Sequence, residues 1–124
     1  MTVVLDANAL MAPVEVGVRT FEELDRLLGD HRAVVPAAVV AELESLAEGA
    51  GEAGTAASVA LDLVDRECSV VEHDAAAADE AVLEVGREVD HAVTSDGPLC
   101  ERLLAADVPV IRLRGRTNFE ITEP

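Results

Sequence analysis

Asp6, Glu42, Asp79 and Asp96 are each embedded in apolar sequence. Asp6 closes the run Val3-Val4-Leu5, and Asp96 follows Ala92-Val93-Thr94-Ser95. Glu42 shares a helical stripe with Val39, Leu43 and Leu46, since spacings of three and four residues bring side chains to one face. Asp79 opens a segment whose apolar face is Val82 and Leu83. An ionised carboxylate on a buried edge is costly without a partner. The chain has no lysine to supply one, and all nine of its basic residues are arginine. A hard divalent cation would serve, because Mg²⁺ takes oxygen ligands almost exclusively. The pattern points to a metal-dependent enzyme.

Each acid also has an ordinary reading. Asp6 suits a helix N-cap, and Asp96, ahead of Gly97-Pro98, suits a turn or a cap. Asp79 in a first helical turn would complement the helix dipole, a role for which Asp74 and Glu80 compete. Glu42 could lie at the margin of its stripe. Asn8 adds an amide oxygen beside Asp6, and Thr94 and Ser95 bring hydroxyls beside Asp96, either as ligands to metal-held water or as capping groups. No single acid decides the matter; the four together do.

The elements that would position them alternate. Strands are expected at Thr2–Leu5, Ala33–Val35, Ser69–Val71, His91–Thr94 and Val108–Leu113. Between them, Ala7–Met11 reads as a helical turn closed by Pro13, and Thr20-Phe21-Glu22-Glu23 as a capping box opening a helix that ends near Gly29. A helix from Pro36 to about Ala47 follows, since proline suits a first helical turn. Glu48 to Gly54 reads as a flexible glycine-rich loop, then helices are expected at Thr55–Arg66, Ala77–Arg87 and Pro98–Ala106. The segment after Gly115 shows no clear pattern, so the domain is drawn at 1–114 with a tail at 115–124. Short unbroken apolar strands alternating with helices indicate a parallel sheet covered on both faces. Ligands bind such sheets beyond the carboxyl ends of the strands, near the topological switch point. Asp6 and Asp96 would stand at those ends, with Glu42 and Asp79 on helices leaving the same edge.

Composition narrows the class. A chain of 124 residues, half of them hydrophobic, supports one domain with one core. With two Phe and no Tyr or Trp, modules that stack bases on aromatic platforms are excluded. A net charge of −16 weighs against a polyanionic partner in ordinary conditions. It reads instead as adaptation to a salty, halophilic cytoplasm, where screening over about 3 Å at molar salt mutes the repulsion; the other reading is an acidic protein of an ordinary cell. Cys68 and Cys100 lack metal-ligand spacing and form no disulfide framework, which fits a reducing interior. Without a basic leader or a membrane-length apolar run, the expectation is a cytoplasmic protein with no membrane partner.

The ordered motifs Val4-Leu5-Asp6-Ala7-Asn8, Pro36 with Val39, Glu42 and Leu43, Ala78-Asp79-Glu80-Ala81-Val82-Leu83, and Val93-Thr94-Ser95-Asp96 resemble those of the PIN-domain nucleases. Val108-Pro109-Val110-Ile111 is similar to that family's last strand, so the resemblance spans the chain. It implies an α/β fold, a three-layer α/β/α sandwich around a parallel five-stranded sheet. It also implies an Mg²⁺- or Mn²⁺-dependent endoribonuclease whose catalytic and metal-binding quartet falls on Asp6, Glu42, Asp79 and Asp96, with Asn8 and Thr94 as auxiliary polar groups. Val35 to Leu43 and Val110 to Arg114 look closest to archaeal relatives of the PIN nucleases that process precursor ribosomal RNA, with VapC-type toxins next. The implied partners are single-stranded or precursor ribosomal RNA, with a homodimer, an antitoxin or a ribosome-assembly partner left open. A PIN fold kept as a catalytically silent interaction module is the alternative from another class.

The chain departs from the family pattern in Gly97-Pro98 after the fourth acid and in its scarcity of basic residues. Arg112, Arg114 and Arg116 form the one cluster, and their alternation would place them on one face of an extended strand to meet RNA. A phosphoacceptor receiver or a haloacid-dehalogenase-type phosphatase would also set Asp at a strand end. Both call for a lysine near the phosphate, and the phosphatase for an Asp where Asn8 stands.

Overall fold

The computed structural model describes residues 1–124. Its strands are β1 (Thr2–Leu5), β2 (Arg32–Pro36), β3 (Cys68–Val71), β4 (His91–Val93), β5 (Val110–Arg114) and β6 (Asn118–Thr122). Its helices are α1 (Ala7–Glu15), α2 (Thr20–Leu28), α3 (Ala37–Ala47), α4 (Gly51–Glu67), α5 (Ala78–Gly86) and α6 (Gly97–Ala105). The sheet runs β3-β2-β1-β4-β5-β6, parallel throughout except for β6, which lies antiparallel on β5. From β1 the chain builds outward through β2 to β3, then crosses back and builds through β4 to β5. The switch point is therefore the β1–β4 pair. Right-handed crossovers in opposite directions send helices to opposite faces: α4 packs on α1 and α3, while α5 packs on α6 and also meets α3 at the sheet edge. No helix is long and apolar enough to cross a membrane.

Burial follows the sheet. Val3, Val4, Leu5, Val34, Val35, Ala92, Val93, Val110 and Ile111 are all buried, as strands covered on both faces require. On α4 the buried residues are small, Gly54, Ala56, Ala57, Ala60 and Val64, which lets that helix lie close to its neighbours.

Four local expectations change. First, α1 continues through Pro13. A proline inside a helix leaves the carbonyl four residues back without its N–H donor; here that carbonyl is Ala9's, and the buried Thr20 hydroxyl donates to it at 3.0 Å. Second, Thr20 is therefore engaged elsewhere and the capping box does not form: α2 starts after Arg19 with no side-chain cap. Glu23 instead accepts the Phe119 N–H at 2.9 Å and pairs with Arg26. Third, the glycine-rich stretch is helical from Gly51. A Cβ on Gly54 would stand 2.1 Å from the Gly49 carbonyl oxygen, so the tight α3–α4 turn, not flexibility, accounts for that glycine. Fourth, the segment expected as a patternless tail supplies β6, making six strands rather than five. Phe119 is buried there, and Arg26 of α2 donates to its carbonyl.

Candidate metal centre

At the switch point the carboxyl ends of β1 and β4 lie side by side, with Leu5 registered on Val93. The next residue after Leu5 is Asp6, 6 % exposed. It is the N-cap of α1: Oδ1 accepts the Ala9 N–H at 2.8 Å, and Oδ2 accepts a short hydrogen bond from the Thr94 hydroxyl. The same hydroxyl oxygen accepts the Asp96 N–H at 3.1 Å, so buried Thr94 joins the two acids through one atom. Asp96 in turn caps α6, accepting the Leu99 N–H at 3.0 Å. Both acids do serve as helix caps, which fixes their carboxylates at the sheet edge.

The other two acids come from helices without caps of their own. Pro36 precedes α3 and Ala77 precedes α5, and neither side chain caps its helix. Glu42, Asp79 and Asp96 are all exposed rather than buried, which corrects the expectation that all four acids sit on buried apolar edges. The apolar stripe of α3 buries Val39 and Leu43, whereas Glu42 turns to the open side above the sheet edge. Only Asp6 is a buried carboxylate.

All four nevertheless meet. One cavity of about 140 Å³ is lined by Asp6, Asn8, Glu42, Asp79 and Asp96, with Ala7, Val39, Ala78 and Val82 completing the wall. Asn8 Oδ1 accepts the Ser95 N–H at 3.3 Å, tying the loop after β1 to the loop after β4. The Asp6 carboxyl is pushed up to about 6, chiefly by burial. Hydrogen bonds from Thr94 and Ala9 oppose that rise, and the charges of Asp79 and Asp96 add to it.

A cation would reverse this cost, and the donors that converge here are oxygens, the set a hard divalent ion selects. No three His, Cys, Asp or Glu side chains are gathered into a closed metal cluster. The fit is one of donor chemistry, carboxylate and amide oxygens around one cavity.

The arginines do not form the expected common face. Arg112 and Arg114 lie on β5, but Arg116 is in the turn to β6. Arg112 is half-buried beside Cys100, whose thiol burial raises while the guanidinium draws it down. Arg114 faces Glu120 at 3.7 Å. Arg116 is exposed.

The family model of the PIN-like domain matches residues 3–116. The chain belongs to the PIN-like domain family. Its fold is similar to that in "Structure of the PIN domain endonuclease Utp24", with a TM-score of 0.79 at 18 % identity over 99 % of this chain and 92 % of that one. It is also similar to a domain of a functionally unknown protein from Methanocaldococcus jannaschii DSM 2661, with a TM-score of 0.68 at 19 % identity over 92 % and 91 %. None of the curated proteins shows significant similarity to the chain.

Two side chains of this PIN-like domain that organise the site escaped the sequence reading. Glu84 of α5 accepts the N–H groups of Asp74 and Ala75 at 2.8 and 3.1 Å, and so braces the loop that leads to Asp79. His73 accepts the Ala38 N–H at the start of α3 through Nε2, at 2.9 Å. Neither belongs to a periodic pattern, and a hydrogen bond across 35 residues leaves no trace in spacing.

Proposed function

We propose that this PIN-like domain is a metal-dependent endoribonuclease that hydrolyses phosphodiester bonds, with Asp6, Glu42, Asp79 and Asp96 as the groups that hold Mg²⁺ or Mn²⁺. The observation that carries this reading is the convergence of four acids from four separate elements on one small cavity at the switch point. When bound, the metal would polarise the phosphoryl group and acidify a water. The residues supply the rest. Asp6 is the fixed point, held from both oxygens by Ala9 and Thr94. Asp96 is set beside it by the Thr94 hydroxyl. Glu42 and Asp79, exposed on their helices, line the same cavity, where they would accept a hydrogen bond from, or a proton of, the attacking water.

RNA as the substrate class rests on the family resemblance, as does precursor ribosomal RNA within it. Among the three clustered arginines, Arg114 and Arg116 are exposed and open to a phosphate, whereas Arg112 is half-buried on Cys100. The net charge of −16 favours the second reading, a silent interaction module. A cleavage assay separates the two. Structured and unstructured RNA are incubated with the chain in high salt, with Mn²⁺ or with chelator, beside Asp6→Asn. Cleavage that requires Mn²⁺ and disappears in Asp6→Asn supports the nuclease. RNA left intact by the parent chain under every condition leaves the module reading in place.

A further inference from the structure

Asp6 and Asp96 cap their own helices, but α3 begins at a residue that cannot cap it. Pro36 offers no side-chain acceptor, and the first N–H groups of a helix have no partner within it. The cap comes from the next crossover. Pro36 of β2 is registered on Val71 of β3, so the two strands end level. Two residues beyond each end stand Ala38 and His73, and His73 Nε2 accepts the Ala38 N–H at 2.9 Å.

An imidazole that accepts at Nε2 is neutral and carries its proton on Nδ1. His73 Nδ1 is buried and has no hydrogen-bond partner. The ring therefore makes a single hydrogen bond within the protein, through Nε2. What the ring gains is one bond, and that bond has a particular place. It ties the loop entering α5, which bears Asp79, to the first turn of α3, which bears Glu42. Glu84 holds the same loop from the α5 side through Asp74 and Ala75.

We infer that His73 is a positioning residue of the centre, a cap supplied in trans that sets the spacing of Glu42 and Asp79 across the cavity. This rests on the reading of the four acids as metal ligands. Residues that orient ligands without touching the metal typically contribute about tenfold to a hundredfold in affinity. His73→Leu keeps the bulk and removes the acceptor; His73→Gln restores one through its side-chain oxygen.

The test uses the full chain and Mn²⁺ alone, titrated calorimetrically and by electron paramagnetic resonance, with Tm recorded for each variant. His73→Leu is expected to bind Mn²⁺ about tenfold more weakly, while His73→Gln stays within about threefold of the parent. The carboxylate ¹³C shifts of Glu42 and Asp79, recorded without metal, should move in His73→Leu and return in His73→Gln. Those shifts judge the proposal separately from the metal reading: a parent chain that binds no Mn²⁺ sinks the ligand assignment but not the spacing. Unmoved shifts in a folded His73→Leu overturn the positioning role. So does a His73→Gln variant as impaired as His73→Leu, since the acceptor would then not be what matters. Should His73→Leu fail to fold, the glutamine variant alone decides, with parent-like shifts and affinity supporting the role and displaced ones overturning it.

Discussion

The two halves of the acidic centre are built differently. On the strand side, Asp6 and Asp96 follow β1 and β4 directly, cap the helices that leave those strands, and share the Thr94 hydroxyl. On the helix side, Glu42 and Asp79 are exposed and make no cap; the helices that carry them pack on each other, and His73 and Glu84 tie the loop between β3 and α5 to both. Asp6 is fixed by two hydrogen bonds in a buried niche, and Asp96, though exposed, is fixed by its cap to Leu99; Glu42 and Asp79 have no such bond and must be held in place by their surroundings. The strand side therefore defines where an ion would sit, and the helix side completes its coordination or orients water.

The widest separation between the halves should appear in catalysis. Asp6→Asn is expected to lower single-turnover RNA cleavage at saturating Mn²⁺ by about a thousandfold, the equivalent of roughly 4 kcal/mol in the barrier. Glu42→Gln, acting through water or through orientation, should lose about tenfold to a hundredfold. Equal losses at the two positions would erase the distinction between a fixed half and an adjustable one.

Stability separates the halves in the opposite sense. The Asp6 carboxyl is raised from 3.8 to about 6, first by burial. An acid raised on folding favours the folded state fully below its unfolded value, and that contribution is lost as pH rises through the folded one. In the metal-free chain it disappears between about pH 4 and pH 6, an amount of about 3 kcal/mol at one pKa unit per 1.36 kcal/mol. Asp6→Asn keeps an acceptor for Ala9 and a partner for Thr94 but carries no charge. Its urea midpoint relative to the parent should therefore climb across that window and stay high at pH 7, with chelator present. Adding Mn²⁺ should stabilise the parent and not the variant. A parent-to-variant difference that is flat from pH 4 to pH 7 would mean that Asp6 is not the strained group.

These differences track what could be seen in the sequence. Asp6 and Asp96 were legible because each ends an apolar run, and a strand end at a parallel sheet's edge has one geometric meaning. Glu42 was located correctly along its helix, but its environment was not. Its spacing from Val39 and Leu43 implies a shared face, whereas those two are buried and Glu42 is exposed on the cavity it lines. The β6 strand had a signal, the alternation of buried Phe119 and half-buried Ile121 with Asn118, Glu120 and Thr122, but over so few residues that a tail reads equally well. Pro13 and the glycines near Gly54 misled for one reason. Pro13 is tolerated because the Thr20 hydroxyl serves the Ala9 carbonyl, and Gly54 is required by the close Gly49 carbonyl in the α3–α4 turn; single-residue propensity records neither. His73 belongs with them. Its role depends on β2 and β3 ending level, a fact of register.

The smallest effect is expected at Glu84, and it tests how much of the helix side's order is delivered through the loop. Glu84 takes two backbone N–H groups, at Asp74 in an exposed place and at Ala75 in a partly buried one. Water can replace much of what it provides, so Glu84→Ala should cost no more than about 1 kcal/mol of stability. If the loop is also pinned through His73, the loss of one brace leaves the other, and Mn²⁺ affinity should fall by about threefold or less, short of the tenfold or more typical where the sole support of a ligand is removed. Combining Glu84→Ala with His73→Leu then becomes informative, because two braces on one loop should be coupled. The double variant should lose more Mn²⁺ affinity than the product of the single losses, once nothing holds the approach to Asp79. Simple multiplication of the two effects would show that Glu84 and His73 act on separate structures, and that the helix side is not one adjustable unit.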